Sequence, residues 1–164
     1  MSCKRLLGTV VLFVVFTFSV SASTVSFLVV ETGLNEGISS PQYSSLWEDG
    51  LMSVFFDAGH IVTNNPILRM SKQASIDIRG TAIEADFVEA ALGGADYVIL
   101  GFLDYQMQGN RAVPTGINIK IYTAVSQVLV FEQNFPAGSG RNTTEENQII
   151  QNAGRTIISQ IKGM

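Results

Sequence analysis

A chain that does covalent or acid–base chemistry needs a nucleophile, a base or a metal cluster, and these 164 residues are short of all three. The one histidine is His60 and the one cysteine is Cys3. A single imidazole cannot form a two-histidine metal site, and no carboxylates stand beside His60 at ligand spacing. It follows Gly59, where a polar ring can cap the carbonyls of an ending helix, so a structural role is expected. No Gly-x-Ser-x-Gly elbow, Ser/His/Asp triad or Cys/His pair can be assembled.

Two other constellations invite a chemical reading. Asp96 and Asp104 flank an apolar run. Eight positions along a strand put them on one face but roughly 26 Å apart, whereas paired carboxylates work within roughly 5–10 Å. Asp96 is expected instead to satisfy backbone donors at the strand entry, and a hydrolase would have to depend on one of these two acids. Gly138-Ser139-Gly140-Arg141 precedes a helix start, where free N–H groups can cradle phosphate. The spacing and lysine of a P-loop are absent, and a loop leaving an edge strand also wants glycine. Asn142-Thr143-Thr144 matches a glycosylation sequon, but Thr143 reads better as a helix cap with Glu146 in the capping-box position. The expectation is no catalytic residue, no metal ligand and no cofactor.

The elements that position these residues are organised around Gly94–Tyr105. A glycine pair closes a helical pattern there, and the apolar run beginning at Tyr97 reads as a central strand covered on both faces. Ahead of it, Thr24–Glu31 reads as a first strand. Ser40-Pro41 reads as a helix start with serine as N-cap. Tyr43, Leu46, Trp47, Gly50, Leu51, Val54, Phe55 and Ala58 then recur at helical spacing until Gly59. His60–Thr63 is a short second strand. Ile67–Gly80 has no clean period and is expected as an irregular loop with one helical turn around Ile67–Met70. Thr81 opens a second helix, with Glu84 as its capping-box partner and Ile83, Phe87, Ala90 and Ala91 inward.

Beyond the central strand, Gln108–Arg111 reads as a turn and Ala112–Thr115 as an irregular return. Ile117, Ile119 and Ile121 alternate with Asn118, Lys120 and Tyr122 on a fourth strand. Val128–Phe135 makes a fifth, and Ile149, Ile150, Ala153, Ile157, Ile158 and Ile161 mark the last helix. The fold class is therefore α/β, a single domain with a mixed five-stranded sheet in the order β-α-β-α-β-β-β-α and helices packed on it. The first three strands are expected parallel through right-handed crossovers, and the last two antiparallel.

Residues 1–22 have the layout of a signal peptide: Lys4-Arg5, then the uncharged apolar Leu6–Val20, then Ser21-Ala22 before a cut. This run of 15 residues falls short of the roughly 20 that span a bilayer. An uncleaved amino-terminal anchor is the competing reading. Cys3 precedes the apolar run and so cannot take a lipid, and a chain cut after Ala22 has no cysteine. Cleavage removes two bases and no acid, leaving 8 basic and 14 acidic side chains over residues 23–164, a formal charge of −6. With the bases scattered, neither a nucleic-acid surface nor anionic-lipid docking is expected.

The pattern resembles the periplasmic α/β domain shared by the TolB amino-terminal domain, the curli secretion channel and the lipoprotein activators of penicillin-binding proteins. The residues that carry the likeness are Gly59-His60-Ile61-Val62 after the first helix and Ala95-Asp96-Tyr97-Val98-Ile99-Leu100-Gly101 in the central strand. Two meander strands and a terminal helix follow, as in that group. The resemblance implies a non-catalytic, periplasmic interaction domain of the cell envelope whose partner is another envelope protein; the position of Cys3 sets it apart from the lipidated members and leaves it without a lipid. Homo-oligomerisation stays open. Tyr105, Met107 and Tyr122 are expected as exposed partner contacts, beside the Thr32–Ser40 and Ile67–Gly80 loops and the sheet edge. The alternative is a small-ligand or glycan-binding module, with a crevice bordered by Glu31, Asn64 and Asp104 at the carboxyl ends of the parallel strands.

Overall fold

The computed structural model describes residues 22–34, 37, 42–71 and 81–161. The signal-peptide reading falls almost wholly on residues outside that set, as do Ser40-Pro41 and most of the Ile67–Gly80 loop. Along the described chain come β1 (Thr24–Thr32), α1 (Gln42–Asp57), β2 (Ile61–Asn64), β3 (Leu68–Met70) and α2 (Ala82–Leu92). Then follow β4 (Tyr97–Gln108), β5 (Arg111–Thr123), β6 (Leu129–Phe135) and α3 (Thr143–Ile161). One open sheet runs β2-β1-β4-β5-β6, with β3 also paired to β1. β2, β3 and β4 all lie parallel to β1, and β4, β5 and β6 form an antiparallel meander.

The alternation of side chains divides the sheet into two cores. Val25, Phe27 and Val29 of β1, Ile99 and Leu103 of β4, and Ile117, Ile119 and Ile121 of β5 face α1 and α3. Leu28, Val30, Val98, Leu100 and Phe102 face α2 through Ile83, Phe87 and Ala90. Val98 to Leu103 are all buried, so β4 is the doubly covered strand its composition predicts. The first two helices end as expected on glycine. Gly59, at φ +89°, and His60 donate backbone N–H groups to the carbonyls of Phe56 and Phe55, closing the last turn of α1.

Three expectations need correction. The sheet has six strands, because Leu68–Met70 is a strand and not a helical turn. β2 stops opposite Phe27, leaving the outer flank of β1 beyond it without backbone partners, and Leu68–Met70 takes up that flank opposite Val30–Thr32. Ala112–Thr115 belongs to β5: Gly109-Asn110 make a two-residue turn, and a bulge accommodates Pro114, with Asp104 opposite Gly116 but Tyr105 opposite Pro114. Finally, Thr81 makes no side-chain cap hydrogen bond, and α3 is capped by Asn142, whose side-chain oxygen accepts the Glu145 N–H at 2.9 Å.

Candidate functional site

The chemistry-bearing side chains gather at one end of the sheet, where β1 and β4 finish and α1 and α3 begin. Glu31, penultimate in β1, is 1% exposed. Its Oε1 accepts the Ser44 hydroxyl at 2.6 Å, and its Oε2 accepts Nη2 and Nε of Arg69 at 2.8 and 3.1 Å. Since the single hydroxyl hydrogen of Ser44 goes to Glu31, the Tyr105 phenol, 2.8 Å from Ser44 Oγ, is the donor in that contact. A relay Tyr105–Ser44–Glu31–Arg69 thus crosses four elements. β3 presents Arg69 to the α1 face while Leu68 and Met70 face the other core, which is the period-two consequence of its being a strand. Burial first, and then the nearby Glu31 carboxylate, push the Tyr105 phenol above its ordinary range, against the opposing effect of the Ser44 hydrogen bond.

The second buried carboxylate is Glu146, 1% exposed. Its Oε1 accepts Trp47 Nε1 at 2.9 Å and the Gly138 N–H at 2.7 Å, and its Oε2 accepts the Gly140 N–H at 3.0 Å. The glycine-rich loop is therefore an anion cradle already filled by the chain's own carboxylate. Gly138 sits at φ +68°, and a Cβ on Gly140 would lie 2.5 Å from the backbone nitrogen of Glu146, so the wrap requires glycine at both positions. Glu146 is not a capping-box residue, as its position suggested, but the hub between α1, α3 and this loop. Beside it lies a recess of about 190 Å³, lined in part by Gln42, Tyr43, Arg111 and Asn142, smaller than the roughly 300–1,000 Å³ of ordinary ligand pockets.

The residues singled out from sequence fall in different places. Tyr105 is 1% exposed, so the expectation of an exposed contact is corrected: it lies two residues beyond Leu103 in β4, on the same face, which packs into the core under α1 and α3. Glu31 is likewise interior. Met107 is half-buried near the end of β4. Tyr122 is half-buried with its ring edge-on to Phe87 at 5.2 Å, and burial raises its phenol pKa. Asn64 is exposed and stands opposite Phe27, four positions before Glu31 along β1, so Glu31, Asn64 and Asp104 do not border one crevice. The Asp104 carboxylate accepts the Thr32 hydroxyl of the neighbouring strand. Asp96 does as its position predicts, accepting the Thr24 N–H at 2.8 Å. His60 is buried and lays its ring against Phe55, centroids 5.5 Å apart.

Sequence reasoning missed Ser44, Trp47 and Arg69 as members of these networks. Each sits in an unremarkable local pattern, and only the meeting of distant segments gives it a partner. Among the described residues no group of three or more His, Cys, Asp or Glu is placed to hold a metal ion. No helix there is long and apolar enough to cross a membrane.

No protein-family model and no curated protein matches the chain. Solved structures do. A PelC dodecamer from Paraburkholderia phytofirmans is 12% identical with a TM-score of 0.49, over 80% of this chain and 85% of that one. TolB from Acinetobacter baumannii is 12% identical with a TM-score of 0.38, over 87% of this chain and 29% of that one. The LpoB C-terminal domain from Salmonella enterica is 12% identical with a TM-score of 0.38, over 71% of this chain and 84% of that one. At these identities and scores the likeness concerns the course of the chain alone.

Proposed function

We propose that this protein is an exported, non-catalytic domain of the cell envelope that docks on another envelope protein. One observation carries the reading most of the way: the polar groups that could have done chemistry are committed to one another inside the fold. Glu146 fills the glycine cradle with its own carboxylate, and Glu31 is held by Ser44 and Arg69. The layout of residues 1–22 supports export through an amino-terminal leader.

The docking surface we assign is the outer flank of β6, which no strand among the described residues covers. It is an edge strand of seven residues, of which Leu129, Glu132, Gln133 and Asn134 are exposed. An uncovered edge offers backbone donors and acceptors to an added strand. The test is a photo-crosslinking residue in place of Gln133, activated in intact cells. One discrete adduct with an envelope protein, absent when the same residue replaces Ser53 on α1, supports the reading. Equal or diffuse labelling from both positions overturns it.

A further inference from the structure

The large apolar side chains that stand exposed are distributed one-sidedly. Phe56 lies in the last turn of α1, and Ile61 opens β2 opposite Thr24, where β1 also begins. Val88 and Leu92 lie in the last two turns of α2, just before β4 starts. Val125 and Val128 form the tip between β5 and β6, with Thr123 opposite Tyr97 and the exposed Leu129 opposite Tyr122. Every one is therefore at the end where the parallel strands begin. The opposite end, among the described residues, exposes none and carries the Glu31 and Glu146 networks instead. Scattered singly, such residues need no explanation. Gathered from five elements at one end, with Leu92 85% and Val125 82% exposed, they make a surface.

The same end receives the chain from residues 1–22. Ser23 accepts the Ile61 N–H at 3.1 Å through its carbonyl, and Thr24 exchanges hydrogen bonds with Asp96. Three residues, Ser21 to Ser23, separate that point from the uncharged apolar segment Leu6–Val20, a tether of at most about 10 Å. In a chain that keeps this segment as an anchor, its insertion in a bilayer holds the apolar end of the domain against lipid.

We infer that this end is a membrane-apposed surface, which places Phe56, Leu92, Val125 and Val128 in the interfacial layer of a zwitterionic bilayer. Attachment comes from apolar burial and not from charge. The charged residues adjacent in sequence to the exposed apolar positions are Asp57, beside Phe56, and Glu89, beside Val88, and acids gain nothing from anionic headgroups. Leu129 opens β6 at this end, and the rest of that strand's exposed residues, Glu132 to Asn134, lie farther along the sheet.

The test uses the full chain with Cys3→Ser and a single thiol introduced for an environment-sensitive dye at Leu92, at Val125 or, as control, at the exposed Gln106 near the far end of β4. All three positions are exposed, so the labels leave the cores intact. On vesicles of phosphatidylcholine and phosphatidylethanolamine, dyes at 92 and 125 should shift to the blue and lose about twofold or more of their emission to lipid-borne quenchers, with the dye at 106 unchanged. The response should survive high salt and gain nothing from added phosphatidylglycerol. Equal quenching at all three positions, or none at 92 and 125, overturns the inference. So does a blue shift without lipid that grows with protein concentration, which assigns the surface to a second copy of the chain.

Discussion

The indole N–H of Trp47 meets the carboxylate of Glu146 at 2.9 Å across 99 residues of sequence, tying the first turns of α1 to the start of α3. The same oxygen takes the Gly138 N–H, so one side chain holds two helices and the loop between β6 and α3.

Replacing Glu146 by Gln should cost about 2–4 kcal/mol in urea unfolding, because one amide oxygen cannot accept three donors and its NH₂ group would face an N–H. Trp47→Phe removes one donor and should cost about 1–2 kcal/mol. The double variant should be less destabilised than the sum of the two, by about 1 kcal/mol. Amide exchange at Gly138 and Gly140 should rise sharply in Glu146→Gln. Strict additivity, with those amides still protected, would remove the hub from the account.

Where α1 crosses α3, two glycines take a neighbour's branched side chain. A Cβ on Gly50 would lie 2.7 Å from Ile150 Cγ2, and one on Gly154 would lie 2.9 Å from Val54 Cγ1 and 3.0 Å from its Cβ. Helix propensity favours alanine over glycine by up to about 1 kcal/mol. Overpacking against a Cβ that no rotamer change can move costs about 1–3 kcal/mol, and it decides the sign. Gly154→Ala should therefore lower the urea midpoint, and Val54→Ala added to it should recover part of the loss. A midpoint raised by Gly154→Ala alone would mean that the helices are free to separate.

Arg69→Met should expose how far the Glu31 relay depends on its cation. Glu31 is 1% exposed while the Arg69 side chain is 32% exposed. Water screens the guanidinium from one side, so the loss should be about 2 kcal/mol and not the 3–5 of a fully buried pair. Adding Glu31→Gln should return part of that loss, since the unpaired charge goes with it. No recovery in the double variant would show that the arginine acts through packing alone.

Local pattern made most of this fold legible. The isoleucines of β5, the stripe on α1 and the glycine stops at Gly59 and Gly93-Gly94 each state their role within a few residues. Asp96 could be read because the donor it satisfies follows from its place at a strand entry. The misreadings share a cause. β3 is three residues long and has no period of its own, and it exists because β1 has a free flank beside it. Tyr105 looked like an exposed contact because it lies near the end of a long strand, yet the face it shares with Ile99 and Leu103 carries it under α1, where Ser44 meets it. Glu146 sits where a capping box would place a glutamate, and the sequence holds no local sign that Trp47 and a glycine loop will reach it first. What two distant segments do when they meet is the part a single chain conceals.

Glu48 of α1, 6% exposed, should give stability a pH dependence on the acid side of neutrality. Burial raises its pKa above the ordinary 4.5, outweighing a hydrogen bond with the Asn64 side chain that lowers it, and the neighbouring Asp49 raises it further. The folded chain therefore holds this proton to higher pH than the unfolded chain does. Between the two pKa values the folded state binds more protons, so stability falls as pH rises through that window and is level beyond it. Glu48→Gln removes the titration while keeping an amide that can pair with Asn64. It should be more stable than the parent at pH 7 and lose that advantage below about pH 4, where both states of the parent are protonated. Urea midpoints of parent and variant measured across that range are the check: curves that run parallel would exclude Glu48 as the source of the slope, whereas curves that converge at the acid end assign the slope to this one buried carboxyl.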